Sequence, residues 1–158
     1  MHFVAVVGDG QANQEAVELA EQTGFQLARR GCAVVCGGLG GVMEGVCRGA
    51  KRAGGLTVGI LPGNDRRAAN TFVDVAVVTG MGEARNVLVV KSAQAVIAIG
   101  GRYGTLSEIA LALKLGIPVV GLRTWELHRE GELDPGIVPA GSVGEAVELA
   151  ISLSRSPS

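Results

Sequence analysis

Short runs of consecutive apolar residues alternate along the chain with longer stretches whose apolar positions recur at helical spacing. Phe3-Val4-Ala5-Val6-Val7, cut off by Gly8-Asp9-Gly10, predicts a buried strand entering a tight turn. Residues 13–30 carry Ala16, Leu19, Ala20, Leu27 and Ala28 at helical spacing, and Gly31 supplies a C-terminal stop. Ala33-Val34-Val35-Cys36 predicts a second strand, Gly37 to Gly41 a second loop, and residues 42–53 a helix closed by Gly54-Gly55. The third strand, Thr57-Val58-Gly59-Ile60-Leu61, stops at Pro62-Gly63, and a polar connection with Asp65-Arg66-Arg67 leads to a fourth at residues 73–78.

Gly80-Met81-Gly82 opens a predicted helix over residues 83–92. Ala95-Val96-Ile97-Ala98-Ile99 is a fifth strand, followed by the loop Gly100-Gly101-Arg102-Tyr103-Gly104 and a helix over residues 106–115 that ends at Gly116. Pro118-Val119-Val120-Gly121-Leu122 predicts a sixth strand. After Arg123 the pattern lapses into a loop containing Trp125, before a last amphipathic helix over residues 142–153, where Ser142 and Glu145 are spaced as a capping box. Near-continuous apolar strands alternating with helices indicate a parallel sheet covered on both faces. The expected fold is therefore a single-domain, Rossmann-like, doubly wound α/β domain over residues 1–153, with a flexible tail at 154–158.

Composition narrows the partners. A net charge of −1 with no Lys/Arg run gives no support for nucleic-acid or membrane-surface binding. No apolar run reaches the roughly 20 residues that span a bilayer, and the N-terminal residues lack the pattern of a signal peptide. Cys32, Cys36 and Cys47 form no metal-ligand pattern, and His2 and His128 lie far from them in sequence. The expectation is a reduced, cytoplasmic chain with buried thiols and no metal site. Cys36, inside a glycine loop, is the one thiol placed to line a pocket.

In an open parallel sheet, ligands sit outside the carboxyl ends of the strands near a topological switch point. Three glycine clusters fall at predicted strand ends: Gly8 and Gly10, then Gly37, Gly38, Gly40 and Gly41, then Gly101 and Gly104. Each precedes a helix start, where free backbone N–H groups and the positive helix end favour an anion. A small phosphorylated ligand is the expected partner. A dinucleotide fingerprint needs a third glycine in the first loop and an acid at the end of strand two, and that place holds Cys36-Gly37-Gly38. A Walker loop needs G-K-[ST], which is absent from the sequence.

Two charged residues stand in telling places. Thr105 and Glu108 have the spacing of a capping box, and Glu108 is equally positioned to aim a carboxylate at a ligand. Arg85 lies in the first turn of its predicted helix, where a cation opposes the helix dipole and calls for a partner anion. That anion is either the ligand or a local acid such as Glu83. Arg102, within a glycine loop, reads as a phosphate contact or as a solvated side chain.

Cys36-Gly37-Gly38-Leu39-Gly40-Gly41-Val42-Met43-Glu44 resembles the first glycine motif of the LOG-like family, cytokinin-riboside-monophosphate phosphoribohydrolases long mislabelled as lysine decarboxylases. Gly101-Arg102-Tyr103-Gly104-Thr105-Leu106-Ser107-Glu108 resembles its second motif, P-G-G-x-G-T-x-x-E, and the interval from Arg85 to Thr105 matches the family's. The resemblance spans residues 4–122 and is nearest to a shorter subgroup that includes molybdenum-cofactor carrier proteins, where Ala84-Arg85-Asn86 is typical. Gly100 stands where the LOG enzymes have proline, Arg102 where they have the second motif glycine, Asn86 where they have lysine, and Glu44 where they have glycine.

The resemblance implies two functions. One is hydrolysis of the N-glycosidic bond of a nucleoside 5′-monophosphate, with Arg85 and Glu108 catalytic and no cofactor required. The other is non-catalytic carriage of molybdenum cofactor or a related phosphorylated ligand. In both, the glycine loops together with Met43, Asn86, Arg102, Tyr103, Thr105 and Leu106 are expected to contact the ligand. A homo-oligomer, a dimer or an assembly of dimers, is also implied. Lysine decarboxylation finds no support, because Lys51, Lys91 and Lys114 all fall on predicted helices away from the glycine loops.

Overall fold

A computed structural model describes residues 1–155. The strands β1 (Phe3–Gly8), β2 (Ala33–Cys36), β3 (Thr57–Leu61), β4 (Val75–Val78), β5 (Ala95–Ile99) and β6 (Val119–Leu122) lie parallel, in the order β4-β3-β2-β1-β5-β6. The sheet is thus the doubly wound, Rossmann-like arrangement that the sequence predicts. The connections are helices α1 (Gln14–Arg29), α2 (Val42–Arg52), α3 (Asn86–Lys91) and α4 (Tyr103–Lys114), and α5 (Val143–Ser154) closes the chain. Helices α1, α2 and α5 cover one face, burying Ala20, Leu27, Val46 and Val147 against Val4, Val6, Val34 and Ile97. Helices α3 and α4 cover the other, where Val89, Val90, Ile109 and Ala112 pack on Ala5, Val7, Val96 and Ala98.

Local chemistry fixes the element ends. The Asn13 side chain caps α1 by accepting from Ala16 N–H at 2.9 Å, and Ser142 caps α5 by accepting from Glu145 N–H at 3.2 Å. The second half of that expected capping box is altered, since the Glu145 carboxylate accepts from Gly141 N–H and not from Ser142. Strand β4 starts two residues later than predicted. Asp74 is bound to Thr57 through its N–H and its carboxylate, so the ladder begins at Val75.

Residues 123–136 are more ordered than the predicted loop. They hold a small antiparallel hairpin of β7 (His128–Arg129) and β8 (Glu132–Leu133). Strand β9 (Ile137–Pro139) then adds a seventh parallel member beside β6. Three residues ending in proline give too little apolar pattern to be read from sequence. Ser154, the first residue of the expected tail, is helical, and its hydroxyl lies 3.3 Å from His2 Nδ1; residues 156–158 lie outside the described residues. Among the described residues no helix is long and apolar enough to cross a membrane, and no metal-ligating cluster occurs.

Candidate functional site: a cleft at the switch point

Strand order reverses between β1 and β5, which opens a crevice above their carboxyl ends. A cleft of about 850 Å³ occupies it, walled by the loops after β1 and β2, the segment before α3, and the first two turns of α4. Arg85 reaches it from below. Its backbone sits where a 3-10 turn (Gly82–Arg85) runs into α3, so the expected single helix over residues 83–92 is divided there. The guanidinium donates from Nε to the Ile60 carbonyl at 3.0 Å, from Nη2 to the Gly37 carbonyl at 3.5 Å, and from Nη1 to Asn86 Oδ1. Its neighbours are neutral oxygens, and among the described residues it forms no ion pair with Glu83 or any other acid. The cation is therefore held in place without being neutralised. Gly37 makes this passage fit, for a Cβ there would stand 2.7 Å from Arg85 Nη2 and 2.7 Å from Met43 Sδ.

Glu108 enters from the opposite wall. The expected capping box with Thr105 does not form, because α4 already starts at Tyr103 with Arg102 at the cap and no side-chain cap bond. Thr105 and Glu108 are both interior helical positions, one turn apart, and Glu108 is only 8 % exposed. Burial pushes its carboxyl up to about 7, opposed by the positive charge of Arg85. Near neutral pH this acid is divided between its protonated and ionised forms, and can give or accept a proton.

With no side-chain cap, the N–H groups of Tyr103, Gly104 and Thr105 precede the first intrahelical donor, Leu106 N–H, which bonds the Arg102 carbonyl at 3.0 Å. These three residues line the cleft, so its wall carries a positive helix end. Arg102 itself is tied to Asp9, Nε to Oδ2 at 2.7 Å and Nη2 to Oδ1 at 3.3 Å. The Gln11 N–H and then Arg102 hold the Asp9 carboxyl below its ordinary value. Tyr103, 80 % exposed, stacks on Trp125 with ring centroids 5.9 Å apart, and the Trp125 indole N–H donates to the Arg102 carbonyl.

Of the residues singled out from sequence, the cleft brings together Gly8, Gly10, Gly37, Met43, Arg85, Asn86, Arg102, Tyr103, Gly104, Thr105 and Glu108. Gly38, Gly40, Gly41, Gly101 and Leu106 are not on its wall. Gly38 packs on the Leu61 side chain, and a Cβ on Gly41 would stand 2.2 Å from the Asp9 carbonyl oxygen. Gly40 faces Gly10, and Gly101 lines an adjoining pocket. Cys36 does not line the cleft either. It is fully buried beneath it, 3.5 Å from Cys47 Sγ, and accepts from Gly38 N–H. Lys51, Lys91 and Lys114 are all helical and none reaches the cleft. Sequence reasoning missed Asp9, Leu39, Pro62, Glu83, Ser107 and Leu111 as lining residues. Only Asp9 left a signal, as the polar residue enclosed by the first two glycines.

These features define a Rossmann-like domain with a glycine-lined, cation-bearing cleft at its switch point. The chain belongs to the SLOG cluster4 family, which matches residues 1–147, a short LOG-like subgroup. It is 46% identical over 120 residues to an uncharacterized protein of Archaeoglobus fulgidus, spanning 76% of this chain and 79% of that one. Its fold is similar to that of the molybdenum cofactor binding protein of Rippkaea orientalis, with 37% identity, a TM-score of 0.87 and 96% of each chain covered. The molybdenum cofactor carrier protein of Chlamydomonas reinhardtii is also similar, with 32% identity, a TM-score of 0.86, and 98% of this chain and 99% of that chain covered.

Proposed function

We propose that this protein is a carrier that holds molybdenum cofactor, a phosphorylated pterin, in the cleft between the ends of β1 and β5. The observation that carries the reading is the full-length similarity to a molybdenum cofactor binding protein, at 37% identity over 96% of both chains. The cleft suits such a cargo. Its volume of about 850 Å³ falls within the range of small-molecule sites. The uncapped start of α4 offers N–H donors to a terminal phosphate, and Arg85 adds a cation that forms no ion pair among the described residues. Glu108, able to donate or accept, matches a pterin edge that carries both N–H and carbonyl groups.

Binding of the cofactor under anaerobic conditions tests this directly. Tight binding by the wild type and roughly 10- to 100-fold weaker binding by Arg85→Ala are expected, the loss of charge-assisted hydrogen bonds. No binding by the wild type would end the carrier reading.

A second reading is favoured by one specific observation, the buried Glu108 with its carboxyl raised to about 7, facing Arg85. That pair suits hydrolysis of the N-glycosidic bond of a nucleoside 5′-monophosphate, with Glu108 steering a water and Arg85 stabilising charge. Free base released from a nucleoside-monophosphate panel, and lost in Glu108→Gln, would establish it; no release from any member would leave the carrier alone. In either case the homo-oligomer that the family resemblance implies is supported by the 44 % exposed Leu115, an apolar side chain at the surface just past the end of α4.

A further inference from the structure

We propose that a second pocket beside the cleft seats the nucleoside end of a ligand in which a phosphorylated pterin is joined through a diphosphate to a nucleoside. This rests on the carrier reading above and extends the same site. The pocket, about 390 Å³, lies between the start of α1, with Gln11, Ala12, Asn13 and Ala16, and the loop after β5, with Gly100 and Gly101. The two cavities share only Asp9 and Arg102. The Asp9–Arg102 ion pair therefore borders both.

That position suits displacement by an anion. Arg102 is largely exposed, and an exposed ion pair contributes little to stability. A diphosphate crossing from the cleft would meet the Arg102 guanidinium, which recognises phosphate oxygens in a bidentate manner, and would release Asp9 into solvent. A second ion pair lies next to the residues that line the pocket. Arg123, held in the left-handed region at φ 53 at the end of β6, pairs with Glu15 in the first turn of α1. Its neighbour Thr124 donates to the Gly100 carbonyl at 2.6 Å, which keeps this segment against the pocket. Arg102 thus lines the pocket, while Arg123 is held to Glu15 beside the α1 residues that line it.

The pocket itself offers base-recognising groups. Asn13 uses its carbonyl oxygen to cap α1, which leaves the amide NH₂ as a donor, and Gln11 adds a second amide. Two such amides can read the edge of a nucleobase.

The test compares affinities for the cofactor in its monophosphate form and as its guanosine and cytidine diphosphate conjugates. Wild type, Arg123→Gln and Ala16→Leu are measured, the last placing an isobutyl group where the pocket would be filled. One conjugate is expected to bind the wild type at least about tenfold tighter than the monophosphate form. The advantage should collapse in both variants while their monophosphate affinity stays within about twofold of wild type, which also reports that they fold. Equal affinities in the wild type, or an advantage that survives both variants, would overturn the inference and leave the carrier reading standing. Binding of no cofactor form at all would remove both.

Discussion

A Cβ on Gly41, in the loop after β2, would stand 2.2 Å from the Asp9 carbonyl oxygen, whereas one on Gly104, in the first turn of α4 beyond β5, would meet no atom within 4 Å. The two regions look alike in sequence, each a run of glycines between a strand and a helix. In the first, the glycines are consumed by packing. Val42 N–H donates to the Asp9 carbonyl at 3.1 Å, Asn70 N–H to the Gly38 carbonyl at 2.9 Å, and two loops meet backbone to backbone. In the second, Gly101 packs closely on Thr105, but beyond it the chain stays open, with Arg102 and Tyr103 at the surface and the first amides of α4 uncapped on the cleft wall. A glycine cluster at a strand end therefore signals close approach, and what approaches is settled by whether another part of the chain already fills the space.

Substituting a glycine in each region should separate them. Gly41→Ala, at φ 62 and against backbone, is expected to cost roughly 4 kcal/mol, combining left-handed strain with overpacking. Urea or guanidinium denaturation reads this, and a loss below about 1 kcal/mol would show that the first loop is looser than its packing indicates.

The next largest effect concerns Glu108, on the helix that follows the open loop. Folding raises its carboxyl from 4.5 to about 7, so as pH rises the unfolded chain gives up the proton first. The contribution of Glu108 to stability is thus fully present below pH 4.5 and is lost as pH rises past about 7, by on the order of 3 kcal/mol. Glu108→Gln cannot titrate. It should match the wild type near pH 4 and exceed its stability at pH 8, and parallel curves for the two proteins would remove the buried, raised carboxyl from the account. The smallest effect is expected at Gly104→Ala, within about 0.5 kcal/mol of wild type or slightly stabilising, because alanine suits a helix and the space is empty. A loss there comparable to that of Gly41→Ala would erase the distinction between the regions.

Arg85 and Glu108 were legible as candidate site residues, and the reasons given for them were only partly right. Arg85 was read as a cation in a helix needing an anion. In the structure it is held by the Ile60 and Gly37 carbonyls, groups 25 and 48 residues away, which a local pattern cannot reveal. For Glu108 the spacing allows both a capping box and a carboxylate aimed at a ligand; the box does not form, because the helix starts two residues before the cap that spacing implies. Capping rules weigh side-chain bonds along the chain. Here Gly101, at φ 94, lies against Thr105, where a Cβ would stand 2.2 Å from the threonine hydroxyl, a contact that cap spacing does not reveal.

The amino-acid sequence by itself determined the alternation of buried strands and helices, the glycine turns after β1, β2 and β5, and the family motifs in the last two of these. Those features are local, written in runs of apolar residues and in breakers a few positions apart. Tertiary structure decided the rest: which strand ends meet at the switch point, that Asp9 closes on Arg102 across 93 residues, and which glycines face a cleft and which face another backbone. These depend on distances between segments remote in the chain, and only the assembled sheet brings them within reach of one another.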